Sequence, residues 1–117
     1  MMHDERKRNM IKSMLSLDLI NGEKERDDLY ALLKLSGWKK AKDVDTVWII
    51  EHPNLTQQEN ESIQTVKNDI ASVLIRAARK LELFEIYYVA QIGNADVIGR
   101  VVKKVKEKYT VYGRDLF

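Results

Sequence analysis

The sequence predicts an α+β fold in which helices cover one face of an antiparallel sheet, and three patterns carry that prediction. Lys12 to Ile20 alternates apolar and polar residues, the period of a strand with one buried face. A stripe of Ile63, Val66, Ile70, Val73, Leu74, Ala77 and Leu81 recurs at helical steps. Between and after these segments the strand-like and helix-like stretches follow one another in the order β-α-β-β-α-β. The 117 residues, 44% hydrophobic and 32% charged, suit a single domain. Its expected parts are a leader over 1–10, a core over 11–93 and a C-terminal extension over 94–117.

Each element has a local reason. In the first strand Leu15, Leu17 and Leu19 share one parity, while Ser16 and Asp18 share the other. Asn21 and Gly22 break it. The acid-rich stretch Glu23 to Asp28 opens a helix with Leu29, Leu32 and Leu33 on one face, closed by Gly37 as a C′ glycine. Trp38 to Lys42 and Thr46 to Glu51 read as a hairpin, the second strand being rich in β-branched residues, and Pro53 is expected to stop it. Thr56-Gln57-Gln58-Glu59 matches a capping box ahead of the long helix, expected over 61–83. Glu85 to Ile92 is a further strand, ended by Gly93. Val97, Ile98, Val101, Val102 and Val105 fall on one side of an expected C-terminal amphipathic helix capped by Asn94, and YTVYGRDLF allows a short terminal strand.

This order defines a ferredoxin-like β-α-β-β-α-β sandwich. Leu15, Leu17 and Leu19 then face the helices, and Asp18 lies on the open face of the sheet. Alternation in the third strand places Val47 and Ile49 inward and Thr46, Trp48 and Ile50 outward. In the last core strand Ile86, Tyr88, Ala90 and Ile92 face inward, leaving Tyr87 outside. An open face carrying Trp48, Ile50 and Tyr87 is an expected interface, and a homodimer is the expected assembly.

Composition excludes several chemistries. Without cysteine there is no disulfide, thiolate nucleophile or cysteine-ligated metal. No apolar run approaches the roughly 20 residues needed to cross a bilayer, so no membrane partner and a cytoplasmic location are expected. In sequence, neither Ser13 nor Ser16 has a histidine nearby, His52 has no orienting acid beyond Glu51, and the glycines form no phosphate loop. The net charge of +2 is too balanced to announce nucleic acid. The local excess around Lys103, Lys104, Lys106 and Lys108 marks a candidate phosphate-binding run, against the commoner reading of a solvated helix face. Trp48, Tyr87 and Trp38 are candidate stacking platforms for RNA, although the aromatic strand motif of RNA-recognition modules is absent.

From Met14 to Ile92 the chain resembles the small ferredoxin-like proteins grouped around the short CRISPR adaptation protein, the VapD-type ribonucleases and the SinR-like family. The likeness is carried by MLSLDL, LYALLKLSGWKK, DTVWII and LTQQENESI. It implies that the acid late in the first strand, here Asp18, is catalytic and binds metal, two copies meeting across a dimer axis to hold Mg²⁺ or Mn²⁺. The extension from Gly93, and the want of a second acid beside Asp18, depart from that pattern. The expected function is therefore a small dimeric RNA-associated protein, a candidate metal-dependent endoribonuclease of a toxin–antitoxin or phage-conflict system. The alternative is a non-enzymatic inhibitor or adaptor that grips a protein partner through its sheet face or basic helix.

Overall fold

The computed structural model describes residues 10–56 and 60–117. Its strands are β1 (Met10–Ile20), β2 (Lys39–Lys40), β3 (Val47–Thr56), β4 (Glu85–Ile92), β5 (Ile98–Val105) and β6 (Lys108–Gly113). Its helices are α1 (Arg26–Leu35), preceded by a 3₁₀ turn at Glu23–Glu25, and α2 (Asn60–Leu81). The protein is α+β: the strands form one antiparallel sheet in the order β2-β3-β1-β4-β5-β6, with both helices packed into a single core on one of its faces.

The alternation in β1 acts as read. Ile11, Ser13, Leu15 and Leu17 are buried toward the helices, while Lys12, Met14, Ser16 and Asp18 are exposed on the opposite face. Helix α1 buries Leu29 and Leu33 and ends at Gly37, whose φ of 88° only glycine adopts freely. The Trp38 amide donates to the Leu33 carbonyl and the Gly37 amide to the Lys34 carbonyl, completing a Schellman motif. Trp38 is thereby turned into the core, so it is no stacking platform. Helix α2 lays Val66, Ile70, Leu74 and Ala77 on the sheet, each large apolar side chain contributing about 1.5–3 kcal/mol by leaving water.

Three expectations are overturned. Trp48 and Ile50 face the helices and are buried, while Val47 and Ile49 lie half-buried on the open face. Register is the reason: Leu15 pairs with Trp48 and Ser13 with Ile50, and directly opposed residues point to the same side of a sheet. Trp48 meets Tyr30 edge to face, with ring centroids 5.1 Å apart, so neither Trp48 nor Ile50 belongs to an outer interface.

Pro53 does not end β3, which runs on to Thr56. The register shifts between Met10 and Ile11, which pair with Thr56 and His52, so Pro53 occupies an irregularity where no ladder bond is demanded of it.

The C-terminal extension is no helix. It is the β5–β6 hairpin, paired to β4 through β5. Residues 98–105 are dominated by β-branched side chains, and both sides of the strand are covered: Val102 lies under α2 while Val101 is buried on the opposite face. The terminal strand foreseen in YTVYGRDLF is real. The leader over residues 1–9 and the box at 57–59 lie outside the described residues, whereas Met10 already belongs to β1 and is buried.

Candidate functional site

Two surfaces carry the residues singled out by sequence. The first is the open face around Asp18. Across β4 its partner is Tyr87, and Tyr87 in turn pairs with Val101 and Val101 with Tyr112. The Tyr87 ring lies under the Arg114 guanidinium, 3.8 Å from its centroid. The neighbouring Glu85 carboxylate is the first cause that raises the Tyr87 pKa. Glu85 is diagonal to Asp18, since Ile20 is the residue opposite Glu85. At a diagonal spacing of about 7–8 Å, the two carboxylates do not converge on one cation within a single chain. Among the described residues no group of three or more His, Asp or Glu side chains is arranged to hold a metal ion.

The second surface is a cleft of about 660 Å³ where the sheet meets the end of α2. The β5–β6 turn forms one wall. Val105 pairs with Lys108, and the two turn residues, Lys106 and Glu107, have φ of 51° and 69°, the paired positive φ of a type I′ turn. The predicted lysine run therefore does not make one helical face. Lys103 projects from the open side of β5 with its Nζ 5.4 Å from the Tyr112 ring centroid. Lys104 projects from the helix side, 5.9 Å from the Tyr109 centroid and 3.5 Å from the Glu107 carboxylate.

Lys106 sits in the turn, outside the cleft, while Lys103, Lys104 and Lys108 line it together with Arg79. Glu25, Glu82, Glu85 and Glu107 share the lining, Glu107 being paired with Lys104. The Tyr109 hydroxyl donates to the Leu83 carbonyl at 3.0 Å and ties the hairpin to the segment after α2. Beside it, Phe84 projects with 57% of its surface exposed. Sequence reasoning passed over Phe84. Its one signal is phase, because it belongs neither to the α2 stripe nor to the inward row of β4.

The structure also corrects the reading of the serines. Ser13 Oγ and His52 Nε2 are 3.1 Å apart, joined by the β1–β3 pairing across 39 positions of sequence. Burial lowers the His52 pKa, opposed by the Asp69 charge on α2. A serine, a histidine and an acid are thus neighbours, but Ser13 is only 1% exposed, and a nucleophile must reach its substrate. The contact gives the buried Ser13 hydroxyl a partner in the half-buried His52 ring, where β3 meets α2. No protein-family model, no curated protein and no solved structure matches this chain.

Proposed function

We propose that this protein is a small RNA-associated protein that holds a single-stranded segment in the cleft beneath the β5–β6 hairpin, and that its work is binding. The observation that carries this reading is the exposed Phe84 ring set in one cleft with Arg79, Lys103, Lys104 and Lys108; four glutamates balance these cations in number, so the ring and not a net charge marks the cleft. A base stacks on an exposed ring whatever its identity, and the cations track the phosphates on either side of it. The strand order, in which β1 lies between β3 and β4 with β2 outside β3, supports a ferredoxin-like assignment extended by one hairpin. Endonuclease chemistry with Mg²⁺ or Mn²⁺ at Asp18 finds less support, because the nearest acid across the β1–β4 ladder, Glu85, stands only diagonally to it.

Anisotropy of a labelled single-stranded RNA tests the reading. Phe84→Ala should weaken binding about tenfold, the loss of one stacked base. Lys103→Gln with Lys108→Gln should weaken it further and flatten its dependence on salt, since fewer counterions are released. Equal binding by the wild type and all variants, or none by the wild type, overturns it.

The inhibitor or adaptor reading loses its basic helix, which is a hairpin. It keeps the open sheet face, where Met14 and Val89 are exposed beside the half-buried Val47 and Ile49.

A further inference from the structure

Among the described residues the sheet ends at β6, which pairs only with β5. Val105 and Lys108 close the two-residue turn, so Lys108, Thr110 and Tyr112 direct their amides and carbonyls to β5. The Arg114 amide keeps that phase, donating to the Gly99 carbonyl at 2.9 Å. Tyr109, Val111 and Gly113 therefore aim theirs at the free side. The segment after Gly113 leaves them clear, because it turns the other way across the open face. Its Arg114 guanidinium lies on Tyr87 of β4, and its Arg114 carbonyl passes so close over Gly99 of β5 that a Cβ there would come within 2.8 Å. A Cβ at Gly113 would meet nothing within 4 Å. The edge is firm as well as open: Tyr109 and Val111 pack against the core, and the Leu83 carbonyl holds the Tyr109 hydroxyl.

Charge decides what such an edge admits. Residues 98–114 hold six cations, Arg100, Lys103, Lys104, Lys106, Lys108 and Arg114, against the single acid Glu107. The two β5 lysines lean over β6 on opposite faces, Lys103 toward the Tyr112 ring at 5.4 Å and Lys104 toward the Tyr109 ring at 5.9 Å. Lys104 is paired with Glu107. Lys103 stands opposite Glu85 in the β4–β5 ladder, but its ammonium lies over β6, where Lys108 joins it on the open face. Lysine along an edge keeps a second copy away, since two such hairpins side by side would set like charges together. The same lysines attract a strand that carries acids.

We propose that the free edge of β6 takes an extended acidic segment of another protein as an added strand. Main-chain bonds to Tyr109, Val111 and Gly113 hold the segment in place. Its residues alternate between the two faces, and carboxylates on the open-face side meet Lys103 and Lys108 from about one strand spacing away, roughly 4.8 Å. A nucleic acid has no amide ladder to offer these groups. The peptide is thus a partner additional to the RNA proposed for the Phe84 cleft, and neither reading rests on the other.

Amide exchange followed by NMR on the wild-type chain tests the assignment, the probe being a labelled octapeptide of alternating glutamate and valine. With the peptide bound, the amides of Tyr109, Val111 and Gly113 should exchange about tenfold more slowly, while those of Lys108, Thr110 and Tyr112, already bonded to β5, should change less than about twofold. Anisotropy supplies the second measurement. Replacing the glutamates of the probe by lysine should weaken binding about tenfold or more. Gly113→Pro removes one free-side amide, sets a ring in the path of the added strand, and should weaken the acidic peptide about tenfold while leaving RNA binding as in the wild type. No binding of the acidic peptide, equal binding of the lysine peptide, or binding that leaves the three amides unprotected each overturns the assignment. Protection of those amides by single-stranded RNA, or by raising the protein concentration without peptide, overturns it too, giving the edge to nucleic acid or to a second copy.

Discussion

Helix α2 and strand β5 carry the same kind of pattern and adopt different structures. Both have apolar residues at steps of three and four, from Ile63 to Leu81 in one and from Val97 to Val105 in the other. The helix draws its stripe from leucine and alanine as well as β-branched residues, and sustains it from Ile63 to Leu81 in a helix of 22 residues. The strand is eight residues long, holds Gly99 and builds its stripe wholly from valine and isoleucine. Periodicity measures which positions must leave water. When a strand is covered on both faces, adjacent residues such as Val101 and Val102 are both buried, and that doubling imitates a helix.

The comparison can be broken at its strongest point. Leu74 is fully buried beneath α2, and Leu74→Ala should lower stability by about 2–5 kcal/mol in urea unfolding. Because α2 packs on β5 and β6 as well as on β4, amide exchange should accelerate in the hairpin together with the helix. Acceleration confined to α2 would show that the hairpin is an independent unit.

A smaller effect tests where α2 meets β3. Burial lowers the folded-state pKa of His52 below its ordinary 6.5, so in that range the unfolded chain binds the proton more readily. Stability should therefore be unaffected by His52 above about pH 6.5, fall as the pH drops below that value, and level off below the lowered folded pKa. His52→Gln should remove this part of the slope in denaturant midpoints measured from pH 7.5 to 5. An unchanged slope would mean that the histidine is as well solvated folded as unfolded.

The smallest effect sharpens the strand side. Lys106 and Glu107 both hold positive φ, a conformation that costs a residue with a side chain about 1 kcal/mol. Lys106→Asn with Glu107→Gly supplies the residues that a type I′ turn favours and should raise the melting temperature by a few degrees.

That turn also explains what could be read in advance. The face of β1 was legible because it has one clear parity, in Leu15 and Leu17 against Ser16 and Asp18, whereas β4 is ambiguous in parity and was placed only by the more apolar of its two sets, Ile86, Tyr88, Ala90 and Ile92. Helix α2 was legible because its stripe is long and free of glycine and proline. The hairpin was hidden because Lys-Glu announces no turn, its conformation being imposed by the ladder on either side. Trp48 was misplaced because Val47 to Ile50 is apolar at every position, and only pairing with β1 decides the face.

Of the candidate site, the lysines were found in sequence but not their division between the two sides of a ribbon. Phe84 and the Ser13–His52 contact depended on tertiary neighbours that no local pattern encodes.

The unequal lengths of β2 and β3 have a further consequence. Strand β2 offers two residues, pairing with Trp48 and Ile49, so β3 from Ile50 to Thr56 presents a bare edge among the described residues. A bare edge can recruit a strand from any chain, including its own, and grow a continuous sheet without limit. Pro53 lies within that edge: it is exposed and has no amide proton to donate to an incoming strand. The residue that did not end the strand is placed to end the sheet.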